Sequence, residues 1–551
     1  MKYTLYTIII LFFFALSGCG KDYLTEKPKA FLAPENSFDT KQSARLVLDG
    51  VYDGLQDRGW DYGLYSFMVL EQLGTDLNNS WIGDSFEGLA DYTLTSNCIN
   101  IYKYWTYSYD VVNRANMFLD NIDKVPMDDV LKNKYKGEAL FLRSLMFFNL
   151  IRLFGDVPMP LTAAKSIELD QIQIARLPVA EVYTQIIKDL EFCEANLPLK
   201  DVSVGGEPFR LGEVSKSATE ALLAQVYLYR ASITKRDNKG NGIEDYTKAY
   251  DYANKVITSG KYTLEPYFPD VWRKNDNTNT EVIFAVQHKS GAGLGPNGEG
   301  SMLPLYLGIR GNLTLGGAYS YPMTSIYGST YFDRGDTVRR KWTTPHGNGI
   351  ISVGGVNVIE ETTTGLGYRW RHGKWRQFPL RQPYTGPGDY GIQVPVLRLG
   401  EMYLIVAEAQ NEINRGPNAT AIEAANMLRR RARNNNVGGV HADITPRVLT
   451  NNAAQLPDLV LSNYNYDSFT NYIFYEKARE MADEFCRYFD LQRWGKLVET
   501  IKHVGTSVNP VTWMTEPDYP AYQYIAEKHY LMPIPAAEIQ ANPRLTQNPG
   551  Y

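Results

Sequence analysis

A chain of 551 residues exceeds what one hydrophobic core usually organises, so it should divide into lobes or stack repeated units. A formal charge of −5, with no basic run beyond the helical patch Arg429 to Arg433, argues against the dense cationic face that nucleic acid needs. Six scattered histidines and four unevenly spaced cysteines give no metal-ligand set and no disulfide framework. Aromatic usage is unusual in kind, with 39 Tyr against 22 Phe, which favours rings whose polar tips can serve an aqueous surface.

The chain opens with Lys2 and the apolar run Leu5 to Leu16, too short to span a bilayer, followed by the small residues Ser17 and Gly18. Residues 1–18 are therefore a secretion signal. The tetrapeptide Leu16-Ser17-Gly18-Cys19 resembles a bacterial lipobox, in which Cys19 is lipidated and becomes the first residue of the mature chain. Two or more acyl chains hold a protein firmly on a bilayer. Residues 19–36, polar and Pro-containing, suit a tether.

Helical spacing then predicts Ser37 to Gln56 and, beyond a loop-rich stretch with twelve aromatic residues between Trp60 and Tyr109, Tyr104 to Ile122. Between Phe141 and Phe154 ten of fourteen residues are apolar, so this helix must be buried on nearly all sides. Gly155 and Pro158 end it. Inside it, Arg143 requires an acidic or carbonyl partner. Val179 to Asn196 follows, bracketed by Pro178 and Pro198, then Ser215 to Ile233 with Asp245 to Ser259, and Arg398 to Ile413 with Ala419 to Arg433. Small residues such as Ala218, Ala221 and Ala224 permit close helix approach. The pairs resemble tetratricopeptide stacking, though without its full consensus.

Glu281 to Gln287 is expected to be a short strand. From Gly291 to Pro395, Gly, Thr, Asn, Tyr and Trp dominate, which predicts an insertion of loops and short strands. A last helical block runs from Phe469 to Lys496, in which Arg479, Glu480, Glu484, Arg487, Asp490 and Arg493 form an internal charge network. Residues 497–551 form an irregular tail on the body. Cys193 and Cys486 are read as small buried hydrophobes. Gly293, Gly295 and Gly298 fit a dinucleotide turn in form only, because Pro296 interrupts it and no helix follows. No phosphate loop and no Gly-x-Ser-x-Gly elbow is present. No cofactor is expected.

The segments GEALFLRSLMFFNLIRLFGDVPMP, RLPVAEVYTQIIKDLEFCEANLP, VSKSATEALLAQVYLYRA, VLRLGEMYLIVAEAQNE, IFYEKAREMADEFCRYFDLQRWGK and LMPIPAAEIQANPRLTQNPGY resemble, in order, the SusD/RagB family of outer-membrane lipoproteins of Bacteroidetes. Where relatives often carry Glu-Arg before the Arg-Glu pair, this chain has Glu476-Lys477-Ala478-Arg479-Glu480. The resemblance implies a mainly α, single-bodied fold. Residues 37–270 form an N-terminal helical region; residues 271–551 form a C-terminal region with the insertion at 271–397 and helices at 398–496. It also implies a non-catalytic, surface-exposed lipoprotein of the outer membrane that captures a glycan and delivers it to a SusC-like TonB-dependent transporter. Some branches of the family bind peptide instead.

Sugars present apolar faces rimmed by hydroxyls, and proteins grip them with flat rings flanked by amides and charges. Two stretches meet that description. Asp76, Asn79 and Trp81 lie in the first, beside Asn78; Tyr319, Tyr321, Trp342 and Trp370 lie in the insertion, with Trp375, Arg339, Arg369 and Arg371. Trp105, Trp272 and Trp494 are expected in the core. A glycoside hydrolase would instead need two carboxylates flanking a scissile bond, and the spacing of Asp76, Asp84, Asp333, Asp336, Glu360 and Glu361 singles out no pair.

Overall fold

The computed structural model describes residues 37–56, 74–78, 88–164, 172–274, 278–290, 300–301, 303–308, 323–324, 327–345, 349–353, 356–360, 372–375, 389–436, 448–506 and 521–551. The leader, Cys19, the tether and the glycines at 293, 295 and 298 lie outside these.

The first half is helical: α1 (Lys41–Asp53), α2 (Ile99–Asn121), α3 (Asp129–Phe154), α4 (Val179–Asn196), α5 (Lys216–Arg236) and α6 (Ile243–Thr258). Strand β1 (Val282–Gln287) leads into the insertion, which holds the short helix α7 (Thr337–Thr343) and the hairpin β2 (Gly349–Val353) and β3 (Val356–Glu360). Strand β4 (Gln393–Arg398) then runs into α8 (Leu399–Asn414), α9 (Ala419–Ala432), α10 (Tyr466–Met481), α11 (Arg487–Arg493) and α12 (Leu497–Thr506).

Sequential helices pack as antiparallel neighbours: α2 on α3, α3 on α4, α5 on α6 and α8 on α9. Across the insertion α6 packs on α8, so the stack continues as though the intervening residues were a side branch. Against α5 pack β1 and β4, which pair antiparallel from Val282 and Arg398 to Gln287 and Gln393.

The core centres on α3. Every residue from Phe141 to Phe154 except Arg152 is buried, as an all-round apolar helix demands. The helix begins earlier than its apolar run, because the Asp128 carboxylate accepts from the amides of Val130 and Leu131. Gly155 ends it at φ 71°, ψ −126°, the mirror image of the extended region, which a residue with a Cβ rarely adopts. Arg143 finds its partners: Nη2 donates to Asp189 of α4 at 2.6 Å and Nη1 to Asn116 of α2 at 2.8 Å, tying three helices together. Cys193 is fully buried and Cys486 partly so. Among the described residues no helix is long and apolar enough to cross a membrane.

One carboxyl in this body is poorly placed for neutral pH. Glu220 on α5 is buried, and burial, with Glu194 nearby, pushes it from 4.5 up to about 7. A raised folded-state value means its contribution is complete below pH 4.5 and is lost as pH rises through 7. The variant Glu220→Gln should therefore show a higher urea midpoint than the parent at about pH 8, the gap closing toward about pH 5; equal midpoints at both would refute this.

Candidate functional site

Described parts of the insertion and residues 74–78 are held on one platform, the C-terminal end of α10 and the turn into α11. A capping box between Asn465 and Ser468 starts α10. It stops at Ala482, and the turn carries two non-glycine residues at positive φ, Asp483 (61°) and Phe485 (63°). The sequence predicted one helical block here. Neighbouring segments break it by binding the turn: Lys374 Nζ donates to the carbonyls of Glu480 and Ala482 and to Glu484 at 2.6–2.9 Å, and the Trp375 indole N–H donates to the Asp483 carbonyl at 2.8 Å.

Beneath the turn lies the predicted charge network. Glu480 is wholly buried and accepts from Arg339 of α7 (3.1 Å), from Arg398 at the end of β4 (2.8 Å) and from Arg431 of α9. Burial alone would raise its pKa, yet the guanidiniums of Arg431, Arg398 and Arg339 hold it far below the usual carboxylate range. Arg398 also reaches Glu281 at 2.8 Å, and Arg339 reaches Glu476 at 2.6 Å. Glu281, just before β1, and residues from α7, β4, α9 and α10 thus meet at one ionic knot.

A second pair anchors the early loop. The Arg487 guanidinium on α11 grips both carboxylate oxygens of Asp76 at 2.9 and 2.6 Å, and the Tyr331 hydroxyl donates to the same carboxylate at 2.6 Å. Beside it, Asn78 and Met323 form an isolated antiparallel bridge; the Thr324 amide donates to the Leu77 carbonyl at 2.9 Å. Two stretches almost 250 residues apart are therefore joined where the chain leaves the described residues after Asn78 and returns at Met323.

Two expected ligand residues are interior instead. Asp76 is buried as the partner of Arg487, and Trp342 is wholly buried, with the Arg273 guanidinium 4.9 Å from its ring centroid. Arg339 and Trp375 are also interior. Their sequence surroundings look like polar loop, but distant arginines and acids draw them inward. Asn79, Trp81, Tyr319, Tyr321 and Trp370 lie outside the described residues; the bridge brings together the ends of the segments that carry the first four. Trp105 and Trp272 are core as expected, whereas Trp494 is only half-buried. Arg487 was legible as part of the charge network but not as the partner of Asp76, and the anchors Tyr331 and Lys374 carry no local signal that would have assigned them this role.

Three of the carboxylates a hydrolase might use are committed elsewhere. Asp76 pairs with Arg487 and Asp336 with Arg339, and Asp333 lies against Arg429 and Arg479. Burial pushes Asp333 up, but Arg479 and Arg429 hold it below the usual range. Among the described residues no group of His, Cys, Asp and Glu could hold a metal ion.

Comparison with known proteins agrees with this architecture. Residues 324–551 match the model described as the SusD family, and residues 22–228 match one described as starch-binding associating with outer membrane. SusD-like protein P2 of Formosa agariphila is 26% identical over 565 aligned residues, covering 100% of both chains. The solved structure of a SusD homolog from Bacteroides thetaiotaomicron superposes with TM-score 0.76 at 22% identity, over 94% of this chain and 99% of that one. A laminarin-binding SusD-like protein superposes with TM-score 0.66 at 22% identity, over 93% and 100%. With two such models spanning most of its length and its helical stack shared with these structures, the chain belongs to the SusD/RagB family.

Proposed function

We propose that this chain is a non-catalytic glycan-binding lipoprotein, anchored through Cys19 to the outer face of the outer membrane, that captures oligo- or polysaccharide for a partner TonB-dependent transporter. The observation that carries the ligand side of this reading is the Asn78–Met323 bridge, which roots two aromatic-bearing segments at one point. Asn79 and Trp81 follow one side of it, and Tyr319 and Tyr321 precede the other. The laminarin-binding relative supports carbohydrate as the ligand class. The arginine-bound state of Asp76, Asp333 and Asp336 favours binding over hydrolysis.

Native electrophoresis in gels containing laminarin or starch tests it. The parent chain should be retarded, and Trp81→Ala with Tyr321→Ala should weaken retention roughly thirty-fold, the loss of about 2 kcal/mol expected of a binding anchor. Unchanged retention in the double variant would remove these rings from the site. Anchoring has its own check, since Cys19→Ala should move the protein from the membrane fraction to the soluble one; continued sedimentation with membranes would disprove lipidation at Cys19.

A further inference from the structure

On the side of α10 away from the ionic knot lies a cleft of about 580 Å³, bordered by α8, α10 and the corner between α11 and α12. That volume falls within the ~300–1,000 Å³ usual for small-ligand sites. Its half-buried aromatic lining is Phe474 and Tyr475 of α10 and Trp494 after α11, with Tyr246 and Tyr331 buried behind them. The rings are held from within the protein. The Trp494 indole N–H donates to Glu408 at 2.8 Å, Arg493 sits 4.5 Å from its ring centroid, and Arg487 sits 4.2 Å from that of Phe474. Phe474 and Trp494 lie 5.7 Å apart, centroid to centroid.

Six of the charges around the cleft cancel in pairs, Lys235 with Glu412, Arg493 with Glu408, and Lys496 with Glu499, and the two others, Arg236, held by Asp237, and Asp467, are of opposite sign. Such a wall offers no surplus of either sign to an ionic ligand. It does offer an acceptor. Asn411 is 1% exposed and lines the cleft; its Nδ2 donates to Thr470 Oγ1 at 2.9 Å, while among the described residues no donor reaches its Oδ1. A buried amide oxygen without a donor is costly, and a hydroxyl group supplies one without bringing charge. Flat rings, a cancelled field and an acceptor below the surface suit the apolar face and hydroxyl rim of a sugar.

We propose that this cleft is a second carbohydrate site, taking a short neutral oligosaccharide; the proposal rests on the glycan-binding reading above. Tyr331 forms part of the dividing wall: its ring meets Tyr475 edge-on at 4.9 Å, and its hydroxyl holds Asp76 on the loop side.

The test uses the full chain in detergent, titrated calorimetrically with laminarihexaose, maltohexaose and cellohexaose. At least one should bind with a stoichiometry near two, and Asn471→Trp, an exposed substitution that fills the cleft mouth, should reduce it to one. In the Trp81→Ala, Tyr321→Ala background the remaining binding should fall at least ten-fold on adding Asn471→Trp, and likewise on adding Tyr475→Leu. One-site binding untouched by Asn471→Trp would overturn the cleft while leaving the loop reading intact. Binding by none of the three, or by charged hexagalacturonate alone, would also overturn it; gel retardation by polysaccharide judges the parent reading separately.

Discussion

Glu480→Ala is expected to lower stability by about 3–5 kcal/mol, the cost of leaving buried cations without their counter-charge. Three guanidiniums face this carboxylate, and they do not suffer equally. Arg339 keeps Asp336 and Glu476, and Arg398 keeps Glu281 and Glu484, but Arg431 keeps only Glu281 among the charged partners in the knot. Adding Arg431→Met should therefore recover part of the loss, since it removes the cation left worst paired. Urea midpoints of the parent, single and double variants measure this. An unchanged midpoint in Glu480→Ala would mean the knot is not what holds β4, α7, α9 and α10 together. Because the folded-state pKa of Glu480 is depressed, its contribution is present above about pH 4.5 and is lost only as acidification passes the much lower folded value.

Asp76→Ala should cost a similar amount, about 3–5 kcal/mol, and also impair ligand capture. Without the carboxylate, the Arg487 guanidinium keeps among the described residues only the Phe474 carbonyl at 3.0 Å as a hydrogen-bond acceptor, and the Tyr331 hydroxyl loses its acceptor. The neighbouring bridge between Asn78 and Met323 then loses the strut beside it. Retention in polysaccharide gels should fall at temperatures where the variant is still folded, with Asp76→Asn intermediate because an amide oxygen can still accept from Tyr331. A lowered midpoint with full retention would make Asp76 a support for the body alone.

The helical stack was legible because its signals are local. Val179–Asn196 is bounded as read, since Pro178 and Pro198 punctuate it, and Ser215 caps α5 through the Ala218 amide at 3.1 Å. The requirement that Arg143 find a partner followed from burial alone, and Asp189 meets it. What failed was long-range. Nothing near Asp76 announces an arginine 411 positions away, so a polar loop residue was read as a ligand residue. Trp342 erred in the same way. The break after Met481 has no glycine or proline to mark it; Asp483 and Phe485 adopt positive φ where Lys374 and Trp375 dock, a tertiary override of helix propensity. The half-exposure of Trp494 was missed because its helical setting looks like core from sequence alone.

The bridge at Asn78 and Met323 also bears on how ligand preference can change. One end of each aromatic segment is pinned to the other by main-chain pairing, which is indifferent to side-chain identity. Residues 79–87 and 309–322 can therefore be traded as interchangeable cassettes between relatives of this architecture, retuning recognition while the scaffold beneath keeps its register.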